Sequence, residues 1–490
     1  MTSDRMETIL NRWLASLGRD LPAIYAVGGA VRDQLLGRLP RDVDIVCPDA
    51  AGLARRVAAA QTPPAALVDL SRQRYTPCFR LIRRDRQDDF IDILDMNGPA
   101  IEDDLRQRDF TINAMAQRIG PGGQMGDLID PLNGREDLRS GRIRTVSPRS
   151  LPDDPLRLLR GVRLAAELGL VIPPETRRAM AENAARLSQS AGERIQSELL
   201  AIFRNPAGSP HIRLLDDIGA LAVIFPESAA MKNCAQNAYH HLDVWGHCLE
   251  TVERLEELLC RPEMLFGQNA SAVMELLGTG QRRALLKLAA LLHDIAKPVT
   301  RRFLPDKQRV TFYGHARAGR EMMAVVADRL RLSQNEKSFL TTLVGQHMRP
   351  LALARPETRP STMIKWFGTN GDVCLAIIML AAADLAAKAG EKISPADRDR
   401  FRRWAERTAA DYLNSLKGTL AAENLVSGHD LLAMGMPAGP GLGKMLSVLR
   451  KEQDQGHLTT RAEALNWAAR LLARDTSPQQ KSDKKKQSSL

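Results

Sequence analysis

The stretch Arg41-Asp42-Val43-Asp44-Ile45-Val46 decides the fold, because it combines a β-strand composition with two carboxylates one residue apart. In a strand, residues i and i+2 point to the same face, so Asp42 and Asp44 would project side by side while Val43 packs beneath them. Such close carboxylates repel each other unless a cation lies between them, and Mg²⁺ prefers oxygen ligands. A metal pair held there can activate an attacking hydroxyl and neutralise a departing pyrophosphate. The alternative is a solvated strand edge.

A glycine pair lies a short distance upstream of the two carboxylates. The apolar residues 23–27 predict a strand and residues 30–36 predict a helix, so Gly28 and Gly29 lie at a strand-to-helix turn. Without side chains, the backbone N–H groups of such a turn can approach a phosphate at the positive end of the helix. Arg32 adds a positive charge one turn further along.

Two further motifs complete the pattern. They are Arg108-Asp109-Phe110-Thr111-Ile112-Asn113-Ala114-Met115-Ala116 and Asp153-Asp154-Pro155-Leu156-Arg157-Leu158-Leu159-Arg160-Gly161-Val162-Arg163. Together with the glycine turn and the paired aspartates, they make residues 20–225 resemble the class II tRNA nucleotidyltransferases, which are the CCA-adding enzymes, and their relatives the bacterial poly(A) polymerases. The resemblance implies an α+β nucleotidyltransferase head, with a mixed sheet and helices, followed by an all-α neck, an HD-type body and a tail.

The resemblance also implies a role for each motif. The turn would hold the triphosphate, the paired aspartates would bind Mg²⁺, the third motif would contact ribose and phosphates, and the fourth would read the incoming base. In that order the residues are Gly28, Gly29 and Arg32; Asp42 and Asp44; Arg108, Asp109 and Asn113; Asp154 and Arg157. Two positions depart from the family pattern, since Gln107 stands where an arginine is usual and Asp153 where a glutamate is usual.

The base-reading role also follows from chemistry. Cytosine and adenine both present an amino donor next to a ring-nitrogen acceptor, whereas uracil and guanine present the opposite pattern on that edge. A carboxylate at Asp154 and a guanidinium at Arg157 would therefore accept C and A and reject U and G. The spacing of three predicts that they are neighbours on one helix face. An ordinary surface salt bridge between them is the alternative reading.

Other charged residues in this region leave two readings open. Arg157, Arg160 and Arg163 recur at helical spacing, so their stripe either faces phosphates or is a solvated helix face. Asp92 alternates with Ile91 and Ile93 in an apolar strand. It is either a third metal-facing carboxylate or an exposed strand residue.

A second constellation lies in the middle of the chain, where histidines and aspartates interrupt apolar helical segments. An aspartate inside the apolar residues 379–385 would be costly to bury without a cation. The segment resembles the HD metal-dependent phosphohydrolases, and the resemblance implies one divalent metal, of unspecified identity, on His247, His293, Asp294 and Asp384. His315 and His347 either complete a second metal site or have structural roles. Some CCA-adding enzymes carry such a domain, for which phosphatase or cyclic phosphodiesterase activity is implied.

Composition agrees with a helix-rich protein that holds a polyanion. The chain has 490 residues, a formal charge of +11 and 44% hydrophobic but only 4% aromatic residues. Its six cysteines are scattered, and no signal peptide or membrane span is evident, so we expect a cytoplasmic protein. We predict a catalytic head over residues 1–145, a neck over 146–228, an HD-type domain over 229–390, a helical tail with tRNA contact over 391–476, and a disordered basic extension over 477–490.

These observations predict an enzyme that adds C and A from CTP and ATP to the 3′ end of tRNA without a template, with an HD phosphohydrolase activity beside it. Three alternatives use the same residues. One is a poly(A) polymerase, one is an enzyme restricted to CC or to A, and one is an HD phosphohydrolase with an RNA-binding front module. The sequence does not determine the oligomeric state.

Overall fold

The structure is a computed structural model that describes residues 3–15, 22–40, 42–71, 76–86, 89–236, 239–389, 394–454 and 456–475. Its contacts divide the chain into two compact units. One comprises Met1–Ala229 and Val326–Leu332, and the other comprises Ala230–Val325 and Ser333–Leu490. The predicted basic extension at residues 477–490 lies outside the described residues. The finer division into head, neck, HD-type domain and tail stays a prediction.

The first unit begins with an α+β region, as predicted from the motifs. Its elements are α1 (Ser3–Leu14), β1 (Tyr25–Val27), α2 (Gly29–Leu35), β2 (Asp44–Cys47), α3 (Ala50–Ala60), β3 (Ala66–Asp69), β4 (Cys78–Ile82), β5 (Phe90–Asp95), α4 (Ile101–Arg106), β6 (Ala116–Ile119), β7 (Met125–Ile129) and α5 (Gly134–Arg139). The predicted strand and helix on either side of Gly28 are both present. The side chain of Asp49 caps α3 by accepting a hydrogen bond from the Gly52 amide.

The strands form one seven-stranded mixed sheet within the described residues, in the order β3-β4-β5-β2-β1-β6-β7. Only the central pair β2 and β5 is parallel, and every other neighbouring pair is antiparallel. In that parallel pair Asp44 is the register partner of Asp92, and across the next pair Asp92 faces Arg80. The register therefore brings two carboxylates and one guanidinium to adjacent strands at one level of the sheet.

Helices follow the sheet in the same unit. They are α6 (Ser150–Asp153), α7 (Arg157–Leu168), α8 (Pro174–Asn183), α9 (Gly192–Arg204), α10 (Ser209–Asp217), α11 (Ala220–Ile224) and α12 (Ser228–Met231), the last of which crosses the unit boundary. Helix α7 packs against α9 and α10. Its Gly161 leaves room for the ring of Phe110, which comes from the sheet region, and for Met180 of α8. This close approach joins the helices to the sheet.

The second unit is mostly helical. Its elements are α13 (Val244–Cys260), α14 (Glu263–Phe266), α15 (Ala270–Leu277), α16 (Gln281–Leu292), α17 (Lys297–Thr300), β8 (Arg302–Leu304), β9 (Arg309–Thr311), α18 (His315–Arg329), α19 (Gln334–Gln346), α20 (Arg349–Leu353), α21 (Pro360–Asn370), α22 (Val373–Ala387), α23 (Pro395–Asp411), α24 (Lys417–Ala421), α25 (Gly428–Ala433), α26 (Pro440–Asp454) and α27 (Arg461–Asp475). The last residues of α18 belong to the first unit.

Helix α22 is the core of this unit. It packs against α13, α16 and α19, and thirteen of its fifteen residues are buried, which explains a segment that is apolar on all sides. One feature departs from the predicted all-α arrangement, because β8 and β9 form an antiparallel hairpin. The last three helices enclose their own small core around Val426, Leu431 and Leu449.

No single helix among the described residues is long and apolar enough to cross a membrane. Only Pro360–Asn370 and Val373–Ala387, taken together across a bend of 109°, reach that length and composition.

We expect Gly161→Ala to destabilise the first unit by about 1–3 kcal/mol, because the added Cβ would lie 2.6 Å from Phe110 Cζ and 2.6 Å from Met180 Cε. Urea unfolding followed by circular dichroism measures this loss. Gly443→Ala in α26 is the matched control, since a Cβ there meets nothing within 4 Å and alanine favours a helix. Equal stabilities for the two variants would contradict close packing at Gly161.

Candidate functional site

The paired aspartates lie at the start of β2 rather than wholly within it. Asp42 precedes the strand and is exposed, whereas Asp44 is its first residue and is half-buried. Asp92 is fully buried and is the register partner of Asp44, so the reading of Asp92 as an exposed strand residue is wrong. Side chains of register partners share a face, which puts Asp92 on the same side of the sheet as Asp44. The donor set fits a hard divalent cation such as Mg²⁺.

Arg80 was not identified from the sequence. Its guanidinium donates two hydrogen bonds to Asp92, from Nε to Oδ1 at 2.7 Å and from Nη2 to Oδ2 at 2.9 Å, and it lies 4.2 Å from the ring centre of Phe90. The hydrogen bond to Asp92 is the main cause that raises the pKa of Arg80. No local pattern indicates this pairing, because the two residues meet only through the antiparallel register of β4 and β5.

The glycine pair lies at the strand-to-helix turn that the sequence predicts, where β1 ends and α2 begins. Gly28 has φ +71°, its amide donates to the Met115 carbonyl at 3.2 Å, and a Cβ there would lie 3.1 Å from Arg108 Nη1. Arg32 follows in α2 and donates from Nη1 to Asn113 Oδ1 at 2.7 Å. The turn, Arg32, Arg108 and Asn113 are therefore brought together although they come from distant parts of the sequence.

Asp109 is buried and links the sheet region to α7. It accepts hydrogen bonds from the Phe110 amide at 2.7 Å, from Asn113 Nδ2 at 3.1 Å and from Arg160 Nη1 at 3.3 Å. Burial acts to raise the pKa of Asp109, but the Arg160 charge and these hydrogen bonds outweigh it and lower the pKa below its usual value. In this structure Asp109 therefore has an internal cation as its partner.

Asp154 and Arg157 do not share a helix, so that prediction is wrong. Asp154 ends α6 with extended φ −143° and ψ 98°, and Arg157 begins α7. The cause is Pro155, because a residue before proline avoids the helical conformation. The Asp154 carboxylate pairs with Arg194 Nη2 at 2.8 Å. Arg157 donates to the carbonyls of Gln107, Arg108 and Ser150 instead.

The stripe of Arg157, Arg160 and Arg163 was predicted to face either phosphates or solvent. In the structure, Arg160 and Arg163 pair with carboxylates of the chain itself, so neither prediction describes their contacts. Arg160 lies between Asp109 and Glu198, and Arg163 donates to Glu198 Oε2 at 2.6 Å and to Glu167 at 2.9 Å. Burial lowers the pKa of Arg163, but the charges of Glu198 and Glu167 outweigh it and raise the pKa. Arg194 and Glu198, both on α9, are the partners that the sequence reading missed.

The histidines and aspartates of the second unit form one buried cluster around Asp294. His247, His293 and Asp294 bring ligand atoms within 4.8 Å of one another, and so do Asp294, His315 and His347. Asp294 therefore belongs to both groups. Asp384 joins the first, since its Oδ1 is 2.9 Å from His247 Nε2 and 3.7 Å from His293 Nε2. All six predicted ligands thus meet in space.

Two lysines lie beside the two carboxylates of this cluster and were also missed. Lys297 Nζ is 2.6 Å from Asp294 Oδ2, and Lys388 Nζ is 2.7 Å from Asp384 Oδ2. The positions i+3 and i+4 after each aspartate are a local signal that could have indicated both lysines. They explain how a fully apolar helix such as α22 tolerates Asp384, which is 1% exposed.

Metal coordination requires neutral imidazoles and ionised carboxylates. Burial acts to lower the pKa of His293, but the charge of Asp294 outweighs it and raises that pKa well above its usual value, so His293 must lose a proton when a metal binds. Burial lowers the pKa of His247, of His315 and, to about 3, of His347. His293 Nε2 and both Asp294 oxygens are buried and have no hydrogen bond of good geometry in the described ranges, although Lys297 is close. Such orphaned ligand atoms fit a divalent metal.

The cluster opens into a cavity of about 1540 Å³. Asp294, Asp384, Lys297 and Lys388 line it together with His240, whose ring contacts that of His247 edge-on at 4.5 Å between centroids. Aromatic residues of the β8–β9 hairpin and of the segment after it also contribute to its wall. An anionic group in the cavity could therefore contact the ammonium groups of Lys297 and Lys388, close to the candidate metal ligands Asp294 and Asp384.

Three family models match successive parts of the chain. The poly A polymerase head domain matches residues 24–144, the probable RNA and SrmB-binding site of polymerase A matches residues 169–232, and the HD domain matches residues 244–381.

Among similar proteins, an A-adding tRNA nucleotidyltransferase of Deinococcus radiodurans is 32% identical over 92% of this chain and 95% of its own. A CC-adding tRNA nucleotidyltransferase of Thermus thermophilus is 34% identical over 90% of this chain and 92% of its own. A multifunctional CCA protein of Pseudomonas fluorescens is 33% identical over 66% of this chain and 74% of its own.

Solved structures share the fold. A CCA-adding enzyme of Thermotoga maritima complexed with tRNA aligns with a TM-score of 0.57 and 22% identity, over 96% of this chain and 95% of that one. A CCA-adding enzyme in complex with ATP aligns with a TM-score of 0.59 and 22% identity, over 93% and 91% of the two chains.

We expect Asp109→Asn to lower the free energy of unfolding of the first unit by about 1–2 kcal/mol at neutral pH, because Arg160 loses a buried partner but is partly exposed and keeps Glu198. A carboxylate with a depressed folded-state pKa stabilises above its unfolded pKa and loses that contribution as the pH falls through the folded value. The difference from the wild type should therefore shrink below about pH 4, measured by urea unfolding at several pH values. A difference that stays constant with pH would contradict an ionised Asp109.

Proposed function

This chain belongs to the tRNA nucleotidyltransferase family, and we propose that it adds C and A from CTP and ATP to the 3′ end of tRNA. The observation that carries the proposal is the parallel register of β2 and β5, which sets Asp44 beside Asp92, next to strand β1 and the Gly28 turn that follows it. Asp42 lies two residues before Asp44. Complexes of CCA-adding enzymes with tRNA, ATP and CTP share the fold and support it. The free cysteines in the described ranges suit a cytoplasmic setting.

In this proposal the residues act mainly by position and charge. The RNA 3′-hydroxyl attacks the α-phosphate of the nucleotide, and pyrophosphate leaves toward the Gly28–Gly29 turn at the start of α2 and toward Arg32. Asp42 and Asp44 would hold Mg²⁺, which when bound supplies Lewis-acid activation and neutralises charge on the triphosphate. Arg108, which lies against the turn, and Asn113, which orients Arg32, would contact the ribose and phosphates.

Base selection falls to Asp154 and Arg157. Arg194 holds Asp154 from the side, so the carboxylate keeps a defined direction from which it can accept from an amino group of C or A. Arg157 would turn from the backbone carbonyls that it now contacts and donate to the ring nitrogen. This change would exchange the hydrogen bonds of Arg157 to the Gln107, Arg108 and Ser150 carbonyls for one to the base.

For the second unit we propose a metal-dependent phosphohydrolase site. His247, His293, Asp294 and Asp384 would hold one divalent metal, and His315 and His347 would hold a second that shares Asp294. A metal bound there supplies a nucleophilic water at neutral pH. Lys297 and Lys388 would then be free to bind the phosphoryl oxygens of a substrate in the same cavity.

A second candidate function is addition of only part of the CCA sequence. The similarity to an A-adding and to a CC-adding enzyme extends over 92% and 90% of this chain, whereas that to the multifunctional CCA protein covers 66%. A partial enzyme would use the same residues and stop after CC or add a single A.

The test of the main proposal uses tRNA that lacks its terminal CCA, with CTP, ATP or both, and reads the products by sequencing. We expect CCA with both nucleotides and CC with CTP alone, and we expect Asp42→Ala with Asp44→Ala to abolish incorporation because the metal ligands are lost. Asp127→Ala, an exposed carboxylate on β7, is the control and should keep activity.

Each other product has a defined meaning. Arrest at CC, or one A added only to tRNA that already ends in CC, would establish the second candidate. Long A tails would indicate a poly(A) polymerase. If the carboxylate variant incorporated as fast as the wild type, the proposed catalytic role of Asp42 and Asp44 would be excluded.

Metal binding at the second site is tested by Mn²⁺ titration calorimetry in a background that carries Asp42→Ala and Asp44→Ala. We expect two Mn²⁺ ions per chain, one after His347→Ala, and none after Asp294→Ala, because Asp294 is shared by both ligand groups. His457→Ala in the tail region is the control for an exposed histidine. If Asp294→Ala retained one ion, Asp294 would not bridge two metals.

A further inference from the structure

Helix α23 presents a row of cations around one aromatic ring. Arg400, Arg403, Trp404 and Arg407 follow the spacing i, i+3, i+4 and i+7, which places them on one face of the helix. Its buried residues, among them Phe401, lie on another face. The row extends about 10 Å along the helix axis between the first arginine and the last.

The row lines a cavity of about 510 Å³ next to the cavity of the histidine–aspartate cluster. The two cavities share four wall residues, Ala354, Arg355, Pro356 and Arg400. They therefore adjoin each other, and Arg355 and Arg400 belong to the wall that both cavities have in common. Phe401 on the larger cavity and Trp404 on the smaller one are in ring contact, with centroids 5.3 Å apart.

The row carries more positive charge than its neighbours neutralise. Arg400 pairs with Asp397 at 2.5 Å and Arg403 pairs with Asp399, and both side chains remain about 60% exposed. Among the described residues, Arg355 and Arg407 have no carboxylate within 4.0 Å, and Arg407 Nε donates only to the Arg403 carbonyl at 3.4 Å. Two exposed guanidinium groups are thus available for an external anion.

We propose that this row is a groove for a single RNA strand, whose terminal phosphate enters the larger cavity. The inference rests on the proposed phosphohydrolase function and deepens it, since it makes polynucleotide ends the substrate class in preference to free mononucleotides. Arginines at regular spacing suit successive backbone phosphates, and a tryptophan between them offers a face on which a base stacks. A mononucleotide would occupy only the larger cavity and would gain nothing from Arg403, Trp404 or Arg407.

The test compares two substrates of the same terminal chemistry on the full chain loaded with Mn²⁺: an oligoadenylate that ends in a 2′,3′-cyclic phosphate, and adenosine 2′,3′-cyclic phosphate. We expect Arg403→Gln with Arg407→Gln to lower the ratio of kcat/KM for the oligonucleotide to kcat/KM for the mononucleotide about tenfold or more. The loss should appear as a higher KM for the oligonucleotide. The slope of log KM for the oligonucleotide against the logarithm of the salt concentration should become shallower by about 1.4, as expected for two lost phosphate contacts.

Arg402→Gln is the matched control, because Arg402 lies on the same helix, pairs with Asp399 and Glu406, and lines neither cavity. It should keep the wild-type ratio. The proposal would be overturned if the double variant also kept that ratio, or if Arg402→Gln lowered the ratio as much.

A second measurement separates the groove from the hydrolytic activity. For this measurement, one adenosine near the 3′ end of the oligoadenylate is replaced by 4-thiouridine. The modified oligonucleotide is cross-linked to the full chain by light, and mass spectrometry maps the attachment site. Attachment within residues 353–363 or 395–411, which line the groove, supports the proposal even if the wild type hydrolyses neither substrate, a result that would refute only the phosphohydrolase proposal. Attachment confined to other segments, whether or not hydrolysis occurs, would refute the groove.

Discussion

The side-by-side register of β2 and β5 is the constraint on which the first site depends. It sets Asp44 next to the buried Asp92, and like charges at adjacent positions of a sheet destabilise it unless cations are near. The guanidinium of Arg80, on the neighbouring strand β4, forms a bidentate pair with the Asp92 carboxylate. In the proposed function Asp42 and Asp44 hold a divalent ion, so the strand register that pairs Asp44 with Asp92 would also position the metal ligands.

Buried carboxylates are also paired with cations in the second unit, which is mostly helical. Asp294 and Asp384 are almost completely buried, and each pairs with histidines and with a lysine, at position i+3 for Asp294 and i+4 for Asp384. Asp109 in the first unit is held in the same way by Arg160. In each case a cation of the chain itself keeps a buried carboxylate ionised, which preserves the ligand or contact geometry at neutral pH.

Local patterns in the sequence predicted much of the fold and the site, and non-local pairing limited the rest. Residue patterns predicted the glycine turn and the strand that begins at Asp44. The resemblance to HD phosphohydrolases implied the six candidate ligands of the second unit, and these lie close together. Arg80 and Arg194 could not be predicted, because strand register and helix packing decide what they meet. The error at Asp154 was avoidable, since Pro155 excludes it from the helix that begins at Arg157.

The most direct measurement of the central claim is an anomalous-scattering map from crystals of the full chain grown with Mn²⁺ and a non-hydrolysable CTP analogue. We expect a manganese peak in contact with Asp42 and Asp44, and we expect the triphosphate to lie against the Gly28–Gly29 turn. A triphosphate bound away from that turn, or manganese with no contact to either aspartate, would contradict it.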